Sequence, residues 1–196
     1  LLLKDGLILR SQLFEFHQLI GNPVSTVERY SHWNVDELVV LDISKSDNKH
    51  DLRRDDLQQS YNGSNILDVL KEISKVCYMP LTFGGRIKTL EDIEKRLIAG
   101  ADKVVINSFA YKNKDLITEA AKRFGSQCIV AGIDAKFINK GNWNVFIDGG
   151  EFNTKVSPDV WAKELQERGA GEIFLNSIDR DGSALGYDIE LIKKVS

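Results

Sequence analysis

The stretch Ile173-Phe-Leu-Asn-Ser-Ile-Asp-Arg-Asp-Gly-Ser-Ala-Leu-Gly-Tyr-Asp188 decides the fold class. A short apolar run, Ile173 to Leu175, opens into a loop of carboxylates, Arg, Asn, Ser and Gly. A helix-like segment, Asp188 to Val195, follows at once. Strand, polar loop, helix is the unit from which parallel α/β active sites are built. A solvated loop whose glycines make turns explains the composition less well, because packing does not require so many polar groups where a buried strand ends.

Working outward, the same alternation fills the chain. Apolar runs at Leu1–Lys4, Glu37–Ile43, Met79–Phe83, Lys103–Ile106, Cys128–Ile133 and Glu172–Leu175 predict strands. Amphipathic stretches at Pro23–Trp33, Asn65–Val76, Leu90–Ala99, Lys114–Phe124 and Pro158–Arg168 predict the helices between them. Pro23 and Pro158 stand where a helix begins and a missing N–H costs nothing. Gly100 and Gly169 stand just past the last turn of two of these helices. Short, continuously apolar strands alternating with helices indicate a parallel sheet covered by helices. The hydrophilic segment Lys45–Asp56 reads as a long loop.

A weak repeat sharpens this to a barrel. Glu37-Leu-Val-Val-Leu-Asp42 resembles Glu172-Ile-Phe-Leu-Asn-Ser177, roughly 135 residues on, a span of about four βα units. The expectation is a (β/α)8 TIM barrel, incomplete here. It has about six βα units in one domain over residues 1–196, truncated at both ends, with strands seven and eight missing. Six strands in an open sheet would leave two bare edges, which natural proteins avoid.

With 196 residues, 42% hydrophobic and 28% charged, the chain can bury a substantial core. A net charge of −3 argues against a nucleic-acid partner, and no apolar run approaches the ~18 residues of a membrane span. Cys77 and Cys128 lie far apart, with no Cys/His cluster, so they read as reduced thiols of a cytoplasmic protein without a metal site or other cofactor.

In such a barrel the site sits at the C-terminal strand ends. Asp42, Gly84-Gly85-Arg86, Asn107-Ser108, Asp134 with Lys136, and Asn176-Ser177 followed by Asp179 and Asp181 all fall there. Gly84 and Gly85 expose backbone N–H groups to a phosphate, and Asn107 and Ser108 add donors. Asp134 follows Ile129–Ile133, so its carboxyl is expected at a partly buried mouth with a raised pKa. Asp181 offers a second carboxylate, and two of them suit general acid/base work on a phosphorylated sugar.

Lys4-Asp5-Gly6, Leu41-Asp42-Ile43, Gly84-Gly85 with Ile87, Gly100-Ala-Asp-Lys-Val-Val-Ile-Asn107, Phe124-Gly-Ser-Gln127, Ile133-Asp-Ala-Lys136 and Gly169-Ala-Gly-Glu172 occur in order. Asp179-Arg-Asp-Gly182 and Gly186-Tyr-Asp188 complete the series. Together they resemble the cyclase subunit of imidazole glycerol phosphate synthase over essentially the whole chain. The resemblance implies a barrel lyase of histidine biosynthesis. It would form a heterodimer with a glutaminase subunit and use the ammonia that subunit releases. The substrate would be a phosphoribulosyl formimino ribotide.

By position, Asp134 matches one of the family's catalytic aspartates. Gly85, Arg86, Asn107 and Ser108 fall in one substrate phosphate site, with Arg86 where a third glycine is usual. Asp181 and Gly182 match the loop lining the substrate cleft. Glu37, Lys103 and Glu172 match the ammonia gate, and Asp102 the glutaminase-facing surface. Two positions depart from the pattern: Leu2 stands where the family has its other catalytic aspartate, and Arg10 where it has a lysine. The resemblance therefore also admits a diverged, non-cyclising subunit of a glutamine-dependent amidotransferase system for cell-surface sugar amidination.

Overall fold

In the computed structural model, which describes residues 1–44, 65–139 and 141–196, every apolar run expected to be a strand is one. In chain order the first elements are β1 (Leu2–Lys4), β2 (Leu7–Gln12), β3 (Phe16–Gly21), α1 (Pro23–His32), β4 (Leu38–Asp42), α2 (Ile66–Val76), β5 (Leu81–Gly84) and α3 (Leu90–Ile98). They continue with β6 (Lys103–Ile106), α4 (Ser108–Lys112), α5 (Asp115–Phe124), β7 (Ile129–Asn139), β8 (Asn142–Ile147), β9 (Phe152–Asn153), α6 (Pro158–Glu167), β10 (Glu172–Ser177) and α7 (Ile189–Val195). The expected Lys45–Asp56 loop lies outside the described residues. This alternation is the α/β order of a TIM barrel.

The helices begin where their chemistry says. Asn22 accepts the N–H groups of Val24 and Ser25 through its side chain, and Pro23 takes the first helical position of α1. Asn65 caps α2 in the same way through Leu67 and Asp68. Among the described residues no helix is long and apolar enough to cross a membrane.

The chain divides into two compact units. One comprises Leu1–Arg10, Gln18–Arg86 and Glu91–Val104; the other comprises Ser11–His17, Ile87–Leu90 and Val105–Ser196. In the first, β1 pairs parallel to β4, and β4 parallel to β5. Leu3, Val40, Leu70, Ile73 and Phe83 are fully buried in the core formed where the sheet meets α1 and α2. In the second, β10 pairs parallel to β7 with Asn176 opposite Asp134.

Six strands were expected, and four more are present among the described residues. β2 runs antiparallel to β1, with Leu2 opposite Leu9. β8 runs antiparallel to β7, and β9 antiparallel to β8. The pattern hid them because they alternate or mix polar with apolar residues, as solvated antiparallel strands do. β7 also continues through Asp134 to Asn139, so Asp134 lies within a strand rather than at its end.

Candidate functional site

Polar groups gather in the first unit at the C-terminal ends of β4 and β5, and in the second around a residue inside β7. In the second unit the centre is Asp134. It is buried at 8% exposure, within the all-buried first part of β7. Asn107, which follows β6, donates its amide to Oδ2 at 2.8 Å; Asn176, on the paired strand β10, donates to Oδ1 at 3.4 Å. Burial pushes this carboxyl up to about 6; the two amides pull the other way, and the charge of Asp181 adds to the rise. A carboxyl poised near neutrality can both give and take a proton. Gly132 belongs to this arrangement, since a Cβ there would sit 3.0 Å from the Cβ of Asn107.

Asp181 works through backbone as well. Its carbonyl accepts the Leu13 N–H at 2.9 Å and its carboxylate the Phe14 N–H at 3.3 Å. The turn at Leu13 and Phe14, both at positive φ, is thus held by the Asp181 loop. Gly182 presses on the same turn: a Cβ there would lie 2.1 Å from the Ser11 carbonyl oxygen.

Two serines expected to face a phosphate hold neighbouring loops. Ser108 Oγ accepts the Asp148 N–H at 2.8 Å, and Lys112 pairs with the Asp148 carboxylate at 2.6 Å. Ser177 donates to Asp188, which also accepts the Trp143 indole N–H and caps α7 through Leu191. Asp179 accepts the Phe137 N–H at 2.7 Å. The Lys136 ammonium sits over the Phe146 ring at 6.0 Å.

In the first unit the centre is Asp42, whose side chain is wholly buried. Arg86 donates through Nε and Nη2 to its Oδ2, at 3.1 and 2.8 Å, while Ser44 donates N–H and Oγ–H to its Oδ1. Ser44 in turn accepts the Asp5 N–H, tying the Lys4-Asp5-Gly6 turn to the cluster. Gly85 has φ +115°, and a Cβ there would stand 2.3 Å from the Asp42 carbonyl oxygen, so only glycine fits. Gly84 ends β5 just before it, fully within the buried run. Beneath the turn, Arg96 of α3 donates to the Gly85 carbonyl at 2.8 Å and to Asp92 O at 2.9 Å. Leu2 stands half-buried in β1 between Leu9 and Leu41, among apolar neighbours. Arg10 lies in β2.

At the opposite strand ends of this unit, Glu37 accepts from Lys103 Nζ at 3.0 Å and from the buried Thr82 hydroxyl at 2.8 Å. Burial alone would raise the Glu37 pKa, but these two donors hold it below the usual range. Asp102 accepts the Leu81 N–H at 2.8 Å and so caps the start of β5. In the second unit Glu172 begins β10, opposite Val130.

Ser44, Thr82 and Arg96 carry no motif signal. Arg96 alone was detectable, because it falls three residues after Ile93 on the buried stripe of α3, where an apolar residue is the norm.

Comparison with known proteins gives a consistent answer. The family described as histidine biosynthesis protein matches residues 1–196. Imidazole glycerol phosphate synthase subunit HisF of Hydrogenobaculum sp. (strain Y04AAS1) is 43% identical over 194 residues, which is 99% of this chain and 72% of that protein. The subunit of the same name from Campylobacter concisus (strain 13826) is 45% identical, over 97% of this chain and 70% of its own length. That of Wolinella succinogenes is 42% identical, over 99% of this chain and 72% of its own length.

Proposed function

The chain belongs to the histidine biosynthesis protein family, and on that premise we propose that it is a cyclase-type synthase subunit, like that of imidazole glycerol phosphate synthase, acting on a phosphorylated ribotide with ammonia supplied by a glutaminase. Asp134 carries the proposal. A buried carboxyl with a pKa near 6, gripped by two amides and facing the field of Asp181, is what proton transfer during ring closure and cleavage requires. Asp134 is assigned general acid/base work, with Asp181 as the second carboxylate.

The substrate phosphate falls to the backbone and side chains at the strand ends: Gly84, Gly85 and Arg86, with Asn107, Ser108, Asn176, Ser177 and Gly182. Asp42 holds Arg86 in place for that task. Ammonia would enter past Glu37, Lys103 and Glu172, with Asp102 on the partner-facing side. The partner is a glutaminase subunit in a heterodimer. Residues 1–196 form part of one barrel domain in this reading, working in the cytoplasm without a metal or other cofactor.

Leu2 favours a second reading. A leucine cannot move a proton, and this one sits among apolar residues in β1. A subunit that binds the phosphorylated ligand and passes ammonia to a separate sugar-amidinating enzyme would tolerate it. Both readings are tested by ammonium-driven turnover of the formimino ribotide. The cyclase reading expects turnover that Asp134→Asn lowers about a hundred- to ten-thousand-fold. Binding of the ribotide with no turnover, and gain of turnover in Leu2→Asp, would establish the amidination reading instead.

A further inference from the structure

We propose that Arg96 is a positioning residue for anion binding, locking the Gly85–Arg86 peptide so that its N–H faces the ligand. The inference rests on the assignment of a phosphate to the Gly84–Arg86 turn and names the element that makes this turn rigid. Arg96 is 5% exposed and sits on the buried side of α3, next to Ile93 on the same stripe. Removing a guanidinium from water costs several kcal/mol, and an apolar side chain would pack there without that cost. The charge is therefore kept for what it holds. It donates to the Gly85 carbonyl and to Asp92 O.

The consequence for the turn is geometric. No described peptide bond is cis, so the C=O of Gly85 and the N–H of Arg86 point in opposite directions. With the carbonyl drawn inward to Arg96, the N–H of Arg86 is directed away from the helix layer, beyond the end of β5. The rest of the turn is fixed by the same logic. Arg86 holds φ +52°, a left-handed conformation that disfavours a side chain, and the pair of its Nε and Nη2 with Asp42 holds it there. Gly85 cannot shift towards Asp42 without contact, given the close approach of their backbones. Arg96 from below and Asp42 from the side thus set one peptide orientation, which is the preorganisation a backbone anion site needs.

The test is titration of the full chain with inorganic phosphate, followed by amide NMR, with Arg96→Met and Arg96→Lys compared. In the unaltered chain the Arg86 amide resonance should move on saturation. Arg96→Met should weaken phosphate about tenfold or more, the worth of one hydrogen bond to a charged group, and abolish the Arg86 shift. Arg96→Lys, which keeps a donor, should recover much of both. Phosphate bound equally by the unaltered chain and Arg96→Met, with the same Arg86 shift, would overturn the role of Arg96 while leaving the phosphate assignment intact. No binding by the unaltered chain would overturn both. Should Arg96→Met fail to fold, an unmoved Arg86 amide in the phosphate-bound unaltered chain would still refute the proposal.

Discussion

Asn107 donates its side-chain amide to the Oδ2 of Asp134 at 2.8 Å, so the residue that most favours the charged form of the buried carboxyl comes from the end of a different strand. Replacing it with Leu removes that donor and leaves desolvation less opposed. Asn107→Leu should therefore move the Asp134 pKa upward from about 6, and with it the acid limb of any pH–rate profile. Carboxyl-carbon NMR of Asp134 in both proteins measures the shift directly; a fall would contradict the account.

The same carboxyl makes stability depend on pH. Its folded pKa of about 6 lies above the ordinary 3.8, so the folded chain holds a proton that the unfolded chain has lost. Stability from this group is thus fully present below about pH 4 and declines as pH rises through 6, by on the order of 2–3 kcal/mol. Asp134→Leu, which leaves no charge to bury, should flatten that decline in denaturant titrations run from pH 4 to 8.

Asp42 and Arg86 form a pair whose two members are unequal: the carboxylate is wholly buried and the guanidinium 21% exposed. Arg86→Met should cost about 3 kcal/mol, because it strands the buried charge, whereas Asp42→Asn with Arg86→Met together should cost less than either loss predicts singly. Urea unfolding of the two single variants and the double gives the coupling. Additive losses would mean that Ser44, not Arg86, stabilises Asp42.

How far the sequence reached follows from what each feature depends on. Short strands made of unbroken apolar residues stand out from their polar flanks, so β4, β5, β6 and β10 were legible within a residue or two. Strands β2, β8 and β9 pair antiparallel, and they and β3 mix polar with apolar residues, which erases that signal. Asp134 was legible because an Asp closing an apolar run is anomalous in packing terms. Its hydrogen-bond partners were not: Asn107 and Asn176, read as ligand donors, also hold the carboxyl, and Ser108 and Ser177 also hold Asp148 and Asp188. A hydroxyl at a strand end has both ligand and loop within reach, and only coordinates show the loop contact. The use of Arg96 depends on a carbonyl eleven residues away, across a turn, and no local pattern encodes that.

Gly182 and Gly186 separate steric demand from backbone demand in one loop. Both have positive φ, at 59° and 74°, so alanine pays a left-handed penalty of about 1 kcal/mol at each. A Cβ at Gly182 meets the Ser11 carbonyl oxygen, while at Gly186 nothing lies within 4 Å. Gly186→Ala should therefore lose only about 1 kcal/mol, and Gly182→Ala clearly more, in thermal unfolding. Equal losses would show that the Asp181 loop yields without cost.

Glu37 and Lys103 pair at the N-terminal strand ends of the first unit. Lys103 bonds the same Glu37 oxygen that Thr82 does, and together they outweigh the burial that would raise this carboxyl. Its lowered pKa contributes stability above the ordinary carboxylate range that fades as pH falls through the folded value; exposure limits this to about 1 kcal/mol or less. Lys103→Met should thus leave the fold almost unchanged while raising the Glu37 pKa. If the pair admits ammonia from a glutaminase, glutamine-driven turnover should fall about tenfold, the worth of one charge-assisted hydrogen bond, with ammonium-driven turnover nearly constant. Both rates falling together would assign Lys103 to folding or catalysis. Neither changing would remove the pair from any path for ammonia.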